Sequence, residues 1–188
     1  MSVAIPLSLI EFDIIYANIV DQFLKIFESN TDDTVSFVNH EYNMTLDYPV
    51  EWDNKTQGWV KIPHQISKLF NNNIILDFEK NRDNHSKGYV KVQFTSHELG
   101  INPDLKQLAR SELDNVKTLS GFSFTDKENL ISDKEVWEID YKSAIHNGSK
   151  TVFINENNGF VFSLETINSN ITQFREEIGS IIESIRFE

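Results

Sequence analysis

The stretch from Tyr42 to Trp52, YNMTLDYPVEW, decides how the rest of the chain can fold. Met44, Leu46 and Tyr48 alternate with polar residues. This two-residue period is typical of a strand with one buried face and one solvent-exposed face. Pro49 has no backbone N–H to donate, so the strand is predicted to end there. The tryptophan that closes the stretch supplies a large aromatic side chain that can cover the end of the strand.

The composition is that of one folded domain with its own core. The chain has 188 residues, of which 39% are hydrophobic and 24% are charged, so it is too apolar to be disordered. It contains no cysteine, which excludes thiol nucleophiles and thiolate metal sites. The net charge is -12 and no cluster of Lys or Arg interrupts it, so neither nucleic acid nor an anionic membrane is an expected partner.

Residues 1–36 are predicted to form an N-terminal helical extension, and residues 37–188 the folded domain. An apolar stripe at helical spacing indicates the helix. The same segment also fits a degenerate signal peptide, or residues that replaced a natural leader. Glu11 and Asp13 would interrupt the apolar region of a signal, which favours the helix. No stretch reaches the roughly 20 apolar residues of a transmembrane helix.

The period-2 pattern recurs along the chain and predicts about six to eight strands, mostly antiparallel. Besides the opening strand, the alternating segments are Trp59–Ile62, Ile74–Glu79, Val90–Phe94, Phe122–Thr125, Trp137–Tyr141, Thr151–Asn155 and Phe160–Leu164. The last three are predicted to form a meander. Its hairpin turns are predicted at Asn147-Gly148 and Asn158-Gly159, because Asn-Gly favours the tight turns of hairpins.

Two segments beyond residue 100 have the spacing of amphipathic helices. One runs from Leu105 towards Gly121 with Asn102 as its predicted N-cap, and the other runs from Ile171 to Ile185. Strands with one apolar face need helices to cover that face. The sequence therefore predicts an α+β fold in which an antiparallel sheet is flanked by helices. This α/β/α sandwich ends in a three-strand meander and a closing helix.

The order and spacing of four motifs resemble the PsbP family, whose best-known members are extrinsic subunits of photosystem II. The motifs are the strand Y-x-x-x-(L/I)-x-Y-P-x-x-W at Tyr42–Trp52, the helix L-x-x-L-A-x-x-E-L at Leu105–Leu113, the meander at Glu135–Thr166 and the ending I-I-x-S-(I/F)-x-F at Ile181–Phe187. The resemblance covers about residues 37 to 188. PsbP is similar in fold to a nuclear-import factor that binds the small GTPase Ran.

The resemblance implies a fold and a general role rather than a reaction. PsbP-like proteins are non-enzymatic accessory proteins that bind larger assemblies, and some are associated with calcium or manganese. No metal-binding or partner-binding motif of the family matches a position in this chain. The resemblance therefore assigns a function to no individual residue.

One segment carries oxygen ligands of the kind that calcium and manganese prefer. Asp77, Glu79, Asn81 and Asp83 occupy alternate positions, which superficially resembles a calcium loop. The glycine and glutamate that an EF-hand needs later in its loop are not at the required positions. The segment is the candidate site for a calcium or manganese cofactor, and the alternative is a solvated strand face that runs into a turn.

The sequence has none of the spacings that mark common catalytic sites. It lacks G-x-S-x-G, G-x-G-x-x-G and the phosphate-binding loop, and His97-Glu98 begins a zinc-protease pattern that fails at Ile101. Trp52, Trp59 and Trp137 are candidates to line a ligand pocket. Core packing is the alternative interpretation of these large aromatic residues, and their size favours it.

Two hypotheses about function follow. The first is a non-catalytic accessory or binding module that docks onto a larger protein assembly through its acidic surface or a sheet edge. The second is a protein that binds a small molecule or a divalent metal, or a hydrolase, with a pocket between sheet and helices. The missing catalytic patterns favour the first. The N-x-S/T sequons at Asn43, Asn54, Asn147 and Asn170 favour an extracytoplasmic or cell-surface location over a cytoplasmic one.

Overall fold

The opening strand leads into a fold with two sheets. The computed structural model describes residues 34–64, 66, 73–84, 88–117, 121–167, 169 and 171–188. Apart from Thr34, these residues belong to one compact unit, Val35–Glu188. The helix predicted near the N-terminus falls on residues 1–33, which lie outside the described residues.

The described residues form ten strands and two α-helices. The strands are β1 (Thr34–Asn39), β2 (Met44–Pro49), β3 (Trp59–Lys61), β4 (Ile74–Lys80), β5 (Tyr89–Glu98), β6 (Ser123–Ile131), β7 (Lys134–Lys142), β8 (Asn147–Asn155), β9 (Asn158–Ile167) and β10 (Arg186–Phe187), and the helices are α1 (Leu105–Val116) and α2 (Ile171–Ser184). Short 3-10 turns at Val50–Asp53 and Lys55–Gln57 connect β2 to β3. Neither helix is long and apolar enough to cross a membrane.

The strands form two sheets. The larger sheet has seven strands in the order β3-β4-β5-β9-β8-β7-β6, and every neighbouring pair is antiparallel. The smaller sheet has the order β1-β2-β10. This confirms the predicted α+β class, the meander of β7, β8 and β9, and the closing helix. The strand at Trp59 lies at the edge of the larger sheet against β4, whereas β2 belongs to the smaller one.

The larger sheet has a core on each face. On one face, α2 and the inward residues of β2 pack over an aromatic layer of Phe94, Phe153, Phe160 and Phe162. On the other face, α1 packs on a smaller apolar cluster that includes Ile139, Val152 and Val161. Phe94 stacks on Phe162 with ring centroids 4.1 Å apart. We call the two sides the α2 face and the α1 face.

The two glycines predicted to make hairpin turns lie inside strands instead. Gly148 is the second residue of β8, and a Cβ added there would lie 2.0 Å from the ring of Tyr141. Gly159 is the second residue of β9, and its added Cβ would lie 2.3 Å from a methyl group of Leu108. The turn before β9 uses Glu156, which has a positive φ of 54°. Both glycines are required because another side chain approaches the backbone closely.

The start of α1 also differs from the prediction. Asp104 is its N-cap, and the Asp104 carboxylate accepts hydrogen bonds from the backbone N–H groups of Lys106 and Gln107. Asn102, the predicted cap, adopts a positive φ of 63° in the preceding loop. Aspartate also interacts favourably with the positive end of the helix dipole.

We expect Phe94→Ala to destabilise the protein by about 3–5 kcal/mol, because it removes a ring from the middle of the buried aromatic layer and leaves a cavity. Urea denaturation followed by tryptophan fluorescence would measure the change. Phe124→Ala is the matched control, since that side chain is 43% exposed, and its cost should stay near or below about 1 kcal/mol. Equal costs for the two variants would contradict the assigned core.

Candidate functional site

Two of the three candidate tryptophans lie in the core. Trp52 and Trp59 are each 2% exposed and stack on one another with ring centroids 5.2 Å apart. The indole N–H of Trp52 donates a hydrogen bond of 2.9 Å to the carboxylate of Glu177 on α2. Burial raises the pKa of Glu177 above its ordinary value. The hydrogen bond between Trp52 and Glu177 therefore anchors α2 over the turn that follows β2. Packing in the core explains why both positions carry tryptophan.

Trp137 is the third candidate and lies on the α1 face of β7. Its indole N–H donates a hydrogen bond of 3.0 Å to the carboxylate of Asp126 on β6, and Lys106 of α1 lies 5.6 Å above its ring. These contacts place it between the helix and the edge of the sheet. Trp137 is separate from the other two tryptophans, so the three do not line a common pocket.

The four candidate metal ligands follow β4 into the next turn. Asp77 and Glu79 share the α1 face of β4, opposite Gln93 and Lys91 respectively. Asp77 is buried and accepts a hydrogen bond of 3.1 Å from Gln93. Asn81 has a positive φ of 54°, and its side chain donates to a backbone carbonyl in the turn, while Asp83 is exposed.

Charged neighbours already surround one of these ligands. The Glu79 carboxylate lies 3.2 Å from Arg82 and 3.7 Å from Lys91. Among the described residues, no three His, Asp or Glu side chains form a group that could hold a metal ion. A cation at this position would therefore have to displace both basic groups and recruit backbone or amide oxygens.

A buried ion pair lies between α1 and the larger sheet. Lys150 of β8 donates a hydrogen bond to the carboxylate of Glu112 on α1, and both side chains are almost fully buried. The Nε2 atom of His97 lies 3.6 Å from the same carboxylate and 3.4 Å from the hydroxyl of Thr95. Removing two charges from water is costly unless they are paired and hydrogen-bonded, which this arrangement achieves.

A cleft of about 460 Å³ opens beside this cluster. His97 lines it together with the loop Leu99–Asp104 and the first turns of α1, and the imidazole is the part of the cluster nearest to solvent. The imidazole can donate or accept a hydrogen bond with a molecule in the cleft. The Glu112–Lys150 pair behind it holds the helix against the sheet.

The sequence contained one signal for this cluster. Glu112 falls on the apolar stripe of α1, among Leu108, Ala109, Leu113 and Val116, where an unpaired carboxylate would be expensive. A partner with positive charge was therefore required. The pattern of the strands does not show which of the basic residues supplies it, because that depends on the strand order.

The outermost strand of the larger sheet is a second candidate site. β6 has nine residues, and all but the last are exposed. In the described part of the chain its only neighbour is β7, so its other side presents unpaired N–H and C=O groups. The opposite edge is β3, which has only three residues. β6 is the longest edge strand in the described residues.

The side chains of β6 divide between the two faces of the sheet. Asp126 lies opposite Ile139, and Glu128 lies opposite Trp137. Residues directly opposite one another point to the same face, so the even-numbered residues of β6 lie on the α1 face. We call these four the β6 row: Phe124, Asp126, Glu128 and Leu130. Phe124 is 43% exposed and Leu130 is 66% exposed.

Comparison with known proteins identifies the fold. The solution structure of cyanobacterial PsbP (CyanoP) from Synechocystis matches with a TM-score of 0.57 and 9% identity, covering 85% of this chain and 95% of that protein. The crystal structure of LpqN from Mycobacterium tuberculosis, described as involved in cell-envelope biogenesis, matches with a TM-score of 0.47 and 11% identity over 81% of this chain and 88% of LpqN. No family model and no curated protein matches the sequence. The chain thus has a PsbP-like fold, as the motif order predicted.

We expect Lys150→Met to destabilise the protein by about 3–5 kcal/mol, because it leaves the Glu112 carboxylate buried without its cation. The double variant Glu112→Leu with Lys150→Met should recover most of that loss, since an apolar pair of similar size needs no compensation. Urea denaturation at neutral pH measures both. If Lys150→Met alone were as stable as the wild type, the Glu112–Lys150 pair would not be buried away from water.

Proposed function

We propose that this chain is a non-catalytic binding module that docks onto another protein by adding a strand of that partner to β6, at the edge that has no neighbouring strand among the described residues. The observation that carries the proposal is the length and exposure of this edge strand. An extended segment of a partner can satisfy a row of free backbone groups, and its alternate side chains then give specificity. PsbP-like architecture supports the proposal as an analogy of fold only.

The backbone of β6 is regular enough for a further strand to pair with it. Proteins usually protect exposed edges with short strands, prolines, bulges or charged side chains, and β6 carries charges at Asp126, Lys127 and Glu128. β3 follows this rule, because it has three residues and Pro63 follows closely. β6 has no proline, and its pairing with β7 runs without a register shift from Ser123 to Ile131. A regular edge of this kind can receive a further strand.

Two further features support an accessory role outside the cytoplasm. The catalytic spacings sought in the sequence are missing, which favours binding over reaction. Asn43, in a sequon, is exposed in the turn before β2, where a glycan can be attached. We include an extracytoplasmic location in the proposal on this basis.

Proline substitution at the edge tests the docking mode. Successive residues of a strand direct their N–H groups to opposite sides, so one of Lys127 and Glu128 donates towards β7 and the other points away from it. Of the two variants Lys127→Pro and Glu128→Pro, the one that removes the donor to β7 should weaken the pairing of β6 with β7. The other should keep the wild-type unfolding midpoint and lose only an outward donor. Peptides selected from a displayed library of extended sequences should bind this second variant about tenfold more weakly than the wild type, as measured by fluorescence anisotropy.

Hydrogen exchange on the same samples locates the bound peptide. Selected peptides should slow amide exchange in β6 of the full chain, because outward N–H groups become hydrogen-bonded. Selected peptides that protect another region, or that bind both proline variants like the wild type, would contradict docking at this edge.

A second candidate function is binding of calcium or manganese at Asp77, Glu79, Asn81 and Asp83. What supports it is that two carboxylates share one face of β4 and two more oxygen-bearing side chains follow in the turn. The cleft beside His97 offers room for a small molecule and is the corresponding candidate for a non-metal ligand.

Thermal unfolding separates the metal proposal from the docking proposal. Calcium or manganese at about a hundredfold excess over its dissociation constant should stabilise the fold by about 2.7 kcal/mol, and a chelator should reverse the effect. Asp77→Asn with Glu79→Gln should abolish the shift in the melting temperature. If neither ion shifts the melting temperature of the wild type, the four residues are a strand face and a turn.

A further inference from the structure

The β6 row presents charge in the middle and apolar side chains at both ends. Asp126 and Glu128 occupy its centre, while Phe124 and Leu130 flank them and are both exposed to solvent. In a sheet, a residue directly opposite on the neighbouring strand lies within contact distance, and opposite charges there stabilise the pairing. The row therefore specifies which side chains a new neighbouring strand should carry.

A second copy of the chain fits this row poorly when the two rows are aligned over their full length. Two β6 strands related by a twofold axis perpendicular to the sheet pair antiparallel, and each cross-strand pair then occurs twice. When Phe124 of one copy faces Leu130 of the other, Asp126 faces Glu128. Both such pairs bring carboxylates together, and like charges directly opposite are destabilising. In this register the row therefore disfavours a symmetric dimer.

We propose that the β6 row binds an extended segment of another protein with two basic residues at alternate positions, each flanked outward by an apolar residue. The pattern is Φ-x-(K/R)-x-(K/R)-x-Φ, where Φ is apolar. This inference rests on the proposed docking at β6 and adds the chemistry of the partner. The basic residues lie opposite Asp126 and Glu128, and the apolar residues contact Phe124 and Leu130. The net charge of -12 attracts such a segment over a distance.

Two synthetic peptides of matched β propensity test the inference on the full chain. The first is Val-Thr-Lys-Thr-Lys-Thr-Val, and the second has Glu in place of both Lys. The lysine peptide should bind about tenfold more tightly, because two favourable cross-strand pairs replace two repulsive ones. The difference should shrink at high salt, since exposed charges are screened. Fluorescence anisotropy measures the affinities, and amide exchange of β6 locates the peptide.

Charge reversal provides the matched variants. Asp126→Lys with Glu128→Lys should invert the preference, so that the glutamate peptide binds more tightly. Glu128→Lys alone leaves the hydrogen bond between Trp137 and Asp126 in place and should reduce the preference without endangering the fold. Glu41→Lys with Glu183→Lys changes the net charge by the same amount at exposed positions outside β6 and should leave the preference unchanged.

Each result has a distinct meaning. A preference for lysine that the β6 variant inverts supports the inference. If both peptides protect β6 equally, or if the control variant inverts the preference as well, the basic partner is overturned while docking at the edge stands. If neither peptide protects β6, docking at the edge fails too. A dimer in analytical ultracentrifugation that is abolished by the proline variant lacking an outward N–H donor would assign the edge to a second copy and overturn the inference.

Discussion

The aromatic layer between α2 and the larger sheet is the constraint on which the rest of the structure depends. Phe94, Phe160 and Phe162 come from two neighbouring strands and stack directly, and Phe153 extends the layer onto β8. A shift of one residue in any of these strands would turn its rings to the opposite face. The layer therefore fixes the register of β5, β9 and β8, and with it the residues on the α1 face, where Glu112 and Lys150 meet.

Much of the fold could be predicted because alternation reports which face of a strand is buried. β2, β5 and the meander follow from that signal, and α1 and α2 follow from helical periodicity. The glycine signals were misread, since Asn-Gly in a sequence has the same form in a turn and in a strand. Gly148 is explained by its cross-strand partner Tyr141, and Gly159 by Leu108, which is distant in sequence; both contacts form only after folding.

The candidate sites were harder to predict because they depend on which strands become neighbours. The sequence shows that carboxylates alternate along β4, but it does not show that Lys91 lies opposite Glu79. The Glu112–Lys150 pair required the order β9-β8-β7 beneath α1. The strand at Phe122 was predicted, but its position at the sheet edge follows only from the complete topology. Sequence thus indicated the residue types, and strand order determined their partners.

The smaller sheet has a consequence for how the protein is made. β10 pairs with β2, matching Arg186 with Thr45 and Phe187 with Met44, so one of the first strands is completed by one of the last. Ribosomes add about 5–20 residues per second, so α2 and β10 are synthesised on the order of ten seconds after β2. Until then the apolar face of β2 is not covered by them. During synthesis this face is an exposed hydrophobic strand, so the incomplete chain is more prone to aggregation than the finished one.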